Sequence, residues 1–155
     1  TWRRSNPYPS MATFDAPNRE VCTIRRPRTN TPLQALVTLN DPVFIEAAQA
    51  LARRIVCESG PDSAEQVTRG FRLVLTREPR PNEVNRLVRL YEETRSHFLN
   101  DSSAALAMAT KPRGPLPEKI LKQFNGEANE AHASLAAWTV VGNVILNLDE
   151  TFMCP

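Results

Sequence analysis

The densest group of polar side chains lies in the stretch before the first clear helix signal. Eight of these residues could form a binding site: Asp15, Arg19, Cys22, Arg25, Arg26, Arg28, Asn30 and Gln34. Guanidinium groups bind carboxylate, phosphate or sulfate through paired hydrogen bonds, and a helix N-terminus adds free N–H donors. The pattern predicts an anion-binding pocket in which the arginines contact the ligand, the aspartate orients them, and the asparagine and glutamine add hydrogen bonds.

The same arginines also have a structural explanation. Irregular backbone leaves many carbonyl groups unpaired, and one guanidinium can satisfy several of them. In this interpretation Asp15 pairs with one of the arginines, and the cluster holds the coil together instead of binding a ligand. The sequence alone leaves both interpretations open.

Catalysis by Cys22 is a further interpretation, because cationic neighbours favour a reactive thiolate. Its base would have to be His97 or His132, and both lie far from it along the chain. A solvated helix histidine is far commoner than a Cys–His pair. The two histidines and three cysteines show no zinc or haem spacing, so we predict no catalytic residue, no metal site and no cofactor in this chain.

Composition excludes some classes of partner. The formal charge is +2, with 41% hydrophobic and 23% charged residues, which is ordinary for a globular domain. Such a small charge does not indicate a nucleic-acid partner, and no apolar run is long enough to span a membrane. The first thirty residues nevertheless carry six arginines against two acidic residues.

Helix signals begin after residue 30. Residues 31–34 form a capping box with proline at the first helical position, and Asp41 can cap a second helix. Ser63 is predicted to cap a third helix, and Asn147, Asp149 and Glu150 are predicted to close the last one. Apolar residues recur at helical spacing from Phe44 onward, which predicts an all-α domain of about five helices around one core.

The expected organisation is a single domain, residues 1–155. Residues 1–30 form an ordered, irregular, arginine- and proline-rich segment; residues 31–110 form helices; residues 111–129 form a proline-rich connector; and residues 130–152 form a closing apolar helix. The chain begins with threonine and tryptophan rather than methionine. We therefore expect the start to be missing or processed, so that the chain is a piece of a longer protein.

Several strings resemble the planctomycete domain-of-unknown-function 1553 family. They are residues 14–22 (FDAPNREVC), 25–36 (RRPRTNTPLQAL), 39–42 (LNDP), 76–79 (TREP) and 147–150 (NLDE). The similarity covers residues 1 to about 100 and 130–152. It does not extend to the proline-rich stretch 111–126.

The resemblance implies a C-terminal module of an exported, extracytoplasmic protein that also carries a cytochrome-c-like module. Any haem would then belong to that upstream part. The implied partners are the upstream domains of the same polypeptide, with an anionic carbohydrate as a possible ligand. The alternative is an enzyme, polysaccharide-related or redox-linked, whose pocket includes Asp15, Cys22 and the arginines and is completed by residues upstream of Thr1.

Overall fold

The computed structural model describes residues 8–17, 24, 29 and 31–152. The described residues form nine helices and no strand, which confirms the all-α class. The helices are α1 (Pro9–Thr13), α2 (Pro32–Asn40), α3 (Pro42–Glu58), α4 (Ser63–Leu75), α5 (Pro81–Asn100), α6 (Ser102–Thr110), α7 (Glu118–Gln123), α8 (Ala128–Leu146) and α9 (Asp149–Phe152).

The number of helices exceeds the predicted five because three of the nine are very short. Helices α1, α7 and α9 have between four and six residues each, too few to show an apolar period in the sequence. Helix α1 lies in the segment predicted to be irregular and begins at Pro9, whose fixed φ suits a first helical turn. Helix α7 lies in the predicted connector.

Polar side chains set the helix starts. Thr31 and Gln34 form the predicted capping box of α2, and the Asp41 carboxylate accepts the Val43 N–H at the start of α3. At α4 the cap is Asp62 rather than the predicted Ser63. An aspartate one residue earlier offers its carboxylate to the same orphan N–H groups.

Helix α8 is the centre of the core and packs against α3, α5 and α6. Its central tryptophan, Trp138, is completely buried. Close approach to α3 depends on Gly142, where an added Cβ would lie 3.2 Å from the carbonyl oxygen of Ala48. The two backbones therefore meet with little room for a side chain between them. Within the described residues, no helix is long and apolar enough to cross a membrane.

Candidate functional site

Asp15 and Thr29 bring together the two ends of the arginine-rich stretch. The Asp15 carboxylate accepts the Thr29 backbone N–H at 3.0 Å and the Thr29 hydroxyl at 2.5 Å. Asp15 has a left-handed backbone, with φ of 56°, a conformation that aspartate tolerates better than most residues. The chain that leaves Asp15 therefore returns to the same place at Thr29.

Gln34 joins this closure to α2. Its carboxamide oxygen accepts the Thr31 N–H at 3.1 Å, and its nitrogen donates to the Thr13 carbonyl at 3.0 Å and to the Thr29 hydroxyl at 2.9 Å. The side chain is only 7% exposed. Both of its N–H donors are used within the protein, so Gln34 holds α1, Thr29 and α2 together.

The other predicted site residues lie outside the described residues: Arg19, Cys22, Arg25, Arg26, Arg28 and Asn30. The structure therefore brings Asp15 and Gln34 to one place and leaves the arginine pocket as a prediction. Ile24, which is described, is fully exposed.

Asp41 receives a second set of contacts from the N-terminal residues. Its carboxylate accepts hydrogen bonds from the Ser10 hydroxyl and, at 3.1 Å, from the Tyr8 hydroxyl. The Ser10 hydrogen bond, followed by the Val43 N–H, lowers the pKa of Asp41 below its ordinary value. Asp41 thus caps α3 and also holds α1 against the start of that helix.

Three phenylalanines connect the N-terminal part of the described chain to its C-terminal end. The ring of Phe14 lies 5.9 Å from Phe44 and 5.3 Å from Phe152, measured between centroids. Phe44 and Phe152 are 6.2 Å apart, edge to face. This geometry is favourable for aromatic pairs, and it places α9 beside α1 and α3.

The end of α8 also contacts α2 through polar groups. The Thr38 hydroxyl, only 1% exposed, donates to the side-chain oxygen of Asn147. Asn143 donates from its side chain to the Leu39 carbonyl at 3.2 Å. Asn147 closes α8, as predicted. It also makes a long-range contact with α2 that sequence spacing did not indicate.

Helix α2 buries polar side chains and exposes leucines. Gln34 and Thr38, four residues apart, face the protein, whereas Leu33 and Leu36 are 58% and 56% exposed, and Leu39 is also exposed. We call these three leucines the leucine face. Other exposed apolar residues lie on the neighbouring elements: Tyr8, Met11, Val43 and Phe152. The sequence did contain a signal for this orientation, namely the spacing of Gln34 and Thr38 on one helix face, but we did not predict the orientation from it.

Arg77 ties the last helix to α5. Its guanidinium binds Glu83 at 2.8 Å and Glu150 at 2.7 Å, and it lies 5.1 Å from the centre of the Phe71 ring. The hydrogen bonds from Arg77, with the Arg80 N–H, lower the pKa of Glu83 to about 2. Arg77 also lowers the pKa of Glu150. Glu150 therefore has a structural partner in the fold.

A family model described as "PSD1: Protein of unknown function (DUF1553)" matches residues 1–91, more than half of the chain. The chain belongs to the DUF1553 family. No curated protein and no solved structure gives a significant match.

The matched region of this DUF1553 chain contains both polar contact sets described above. It includes Asp15, Thr29, Gln34, Asp41 and the leucine face. Helix α8, which has more buried residues than any other helix in the described part of the chain, lies beyond the matched residues.

The described part of the DUF1553 chain contains no cluster of histidine, cysteine, aspartate and glutamate that could hold a metal ion. Cys57 is a partly buried free thiol. Burial lowers the pKa of His132, which favours its neutral form. The pairing of a histidine with Cys22, which the sequence did not favour, involves a cysteine that lies outside the described residues.

Proposed function

We propose that this chain is a non-catalytic C-terminal module of a larger exported protein and docks against the preceding domains of the same polypeptide. The observation that carries this proposal is the orientation of α2. The helix buries Gln34 and Thr38 and turns Leu33, Leu36 and Leu39 outward.

Exposed leucines on one helix face are a feature of interaction surfaces. Each leucine side chain removed from water contributes about 1.5–3 kcal/mol, and α2 forgoes much of that gain in the chain alone. Grouped apolar residues on a soluble domain mark contacts with another surface more often than scattered ones do. A partner that covers the leucine face would recover this free energy.

The position of the N-terminal residues supports the choice of partner. Tyr8 and Ser10 bond to Asp41 at the junction of α2 and α3, so the described chain enters the fold beside the leucine face. The first described residue, Tyr8, therefore lies near the junction of α2 and α3, and in this proposal the preceding domains join the chain on that side. The exported location and a haem-bearing neighbour are supported by the family resemblance.

Recognition of an anionic group is a second candidate function, favoured by the closure of Asp15 on Thr29. Asp15 and Thr29, which flank the segment that carries the four arginines, are both held at the start of α2. A tethered segment loses less conformational freedom when it binds a ligand than a free one. Carboxylated or sulfated carbohydrate is the ligand class that we propose.

Docking can be tested by producing the preceding polypeptide separately and measuring its binding to this chain by calorimetry. We expect the Leu36→Asp variant to bind at least tenfold more weakly, since a charge would be buried in the interface. The matched control is Leu106→Asp, which changes an exposed leucine on α6. Equal binding by the two variants would overturn the docking proposal.

Anion recognition is tested by titrating sulfated and carboxylated oligosaccharides at low salt. We expect saturable binding that weakens in the Arg25→Ala variant and at raised salt. Arg89→Ala is the control, because Arg89 is an exposed helix arginine paired with Glu93 at 3.4 Å. The proposal fails if the unaltered chain does not bind these oligosaccharides, or if Arg25→Ala and Arg89→Ala weaken the binding equally.

A further inference from the structure

A cavity of about 320 Å³ lies where the end of α3 and the start of α4 meet α5, α7 and α8. We infer that this cavity binds an uncharged, single-ring compound that carries hydroxyl groups. It includes neither the leucine face nor any residue of the predicted anion pocket, so the inference is independent of the proposed function.

Hydroxyl and carboxamide groups converge on the cavity. The hydroxyls of Tyr91 and Ser134 are hydrogen-bonded at 3.0 Å, and the Gln66 nitrogen donates to the Gly60 carbonyl at 2.9 Å. Ser59 also lines the cavity, and its hydroxyl is buried without a hydrogen-bond partner among the described residues. Buried hydroxyls without a partner are rare in proteins, and a ligand hydroxyl beside Ser59 would supply one.

The lining excludes an anionic ligand. Of the nine described residues around the cavity, none is acidic, basic or histidine. An anion that enters such a site loses its hydration and gains no opposite charge from the lining, and the Glu65 carboxylate beside Gly60 would repel it. Neutral donors and acceptors, in contrast, can exchange their hydrogen bonds to water for bonds to the hydroxyl and carboxamide groups.

Ring size follows from volume and from the aromatic walls. A volume of about 320 Å³ is at the lower end of small-molecule sites, which suits one ring rather than a chain of them. Phe124 and Tyr91 line the cavity, and the Tyr91 ring is held by stacking on the buried Trp138, with centroids 4.4 Å apart. A wall already fixed in place costs little to order on binding.

The stacked tryptophan gives the test an optical signal. In a Trp2→Phe variant Trp138 is the single tryptophan, so its fluorescence and the amide NMR signals of residues 59 and 66 report on the cavity. The probes are myo-inositol and D-glucose. Cyclohexanol, which has one hydroxyl, and D-glucuronate, which has a carboxylate, are the matched controls.

We expect saturable binding of at least one probe and at least tenfold weaker binding of its matched control. Tyr91→Phe and Ser59→Ala should each weaken probe affinity about tenfold by removing one hydrogen-bonding group, whereas Tyr8→Phe and Ser96→Ala should leave it unchanged. Ser59→Ala carries the test if Tyr91→Phe disturbs folding. No saturable response to either probe, equal binding of the controls, or unaltered affinity in Ser59→Ala would each overturn the inference.

Discussion

The core around α8 and the N-terminal region around α2 differ in which side chains they bury. Around α8, the apolar side chains are inside: Trp138 and Val141 are completely buried against α3, α5 and α6. Around α2, the buried side chains are polar. Gln34 and Thr38 are inside, and the leucine face is outside.

The two regions therefore draw on different sources of stability. The core is stabilised by removal of apolar surface from water, a term that grows with buried area. The N-terminal region depends on directed contacts, namely the Asp15–Thr29 and Asp41–Ser10 hydrogen bonds and the phenylalanine cluster. Such contacts hold a segment in place while leaving its apolar face free for a partner.

The largest effect is expected from truncation in the core. Trp138→Ala should lower the free energy of unfolding by about 3–5 kcal/mol, because it leaves a large cavity in close-packed surroundings. Urea denaturation followed by circular dichroism measures this change. Leu106→Ala, on the exposed side of α6, should change it by less than about 0.5 kcal/mol. A loss below about 1 kcal/mol in the tryptophan variant would contradict the assignment of the core to α8.

Removal of one ring from the phenylalanine cluster should have a smaller and more local effect. Phe14→Ala should lower stability by about 1–2 kcal/mol, since this side chain is only partly buried and loses two aromatic neighbours. Amide hydrogen exchange should accelerate in α1 and α2 and stay unchanged in α8. Equal acceleration in all helices would show that the two regions are one cooperative unit.

The stability provided by the Arg77 ion pairs should depend on pH in the acidic range. The pKa of Glu83 is about 2 against an ordinary 4.5, so the folded state favours the ionised carboxylate. Its contribution to stability is therefore present above about pH 4.5 and is lost as the pH falls towards 2.

The Arg77→Met variant should flatten this part of the pH–stability curve, with a loss of about 1 kcal/mol at neutral pH for so accessible a pair. Denaturant titrations between pH 2 and 7 provide the measurement. Arg89→Met is the control, because the Arg89–Glu93 pair is more exposed. If the pH dependence of the free energy of unfolding is the same in the Arg77 variant, the ion pairs of Arg77 do not cause the acid sensitivity.

The smallest effect is expected on the leucine face. Leu36→Ser should change the stability of the chain alone by less than about 0.5 kcal/mol, because more than half of this residue is already exposed. Leu51→Ser, on the buried face of α3, should cost several times more. Thermal unfolding of the two variants side by side gives the contrast, and equal losses would mean that Leu36 is packed.

The main helices were predictable because their signals are local. The Thr31 capping box, the Asp41 cap and the apolar spacing of α8 are each formed by residues close together in the sequence. The contact of Thr38 with Asn147 joins residues 109 positions apart, and no local pattern indicates it. The orientation of α2 was harder still to predict. Its buried face is polar, so the spacing of its apolar residues indicates the exposed side instead of the buried one.

Only part of the candidate site could be predicted from the sequence, again because its contacts join residues that are distant along the chain. Asp15 and Gln34 were singled out for their chemistry, and in the structure both bond to Thr29 at the start of α2. Their contacts with Thr29 and Thr13 depend on the path of the chain between α1 and α2. The cavity between α3 and α8 had no sequence signal, because its polar groups come from separate elements.

The orientation of α2 can be measured directly by thiol labelling. Leu36→Cys and Thr38→Cys are made separately in a chain whose three native cysteines are replaced by serine, and each reacts with a thiol reagent under native conditions. We predict that the thiol at position 36 reacts nearly as fast as in the denatured chain, and the thiol at position 38 on the order of a hundredfold more slowly. Fast reaction at position 38 with protection at position 36 would contradict the account.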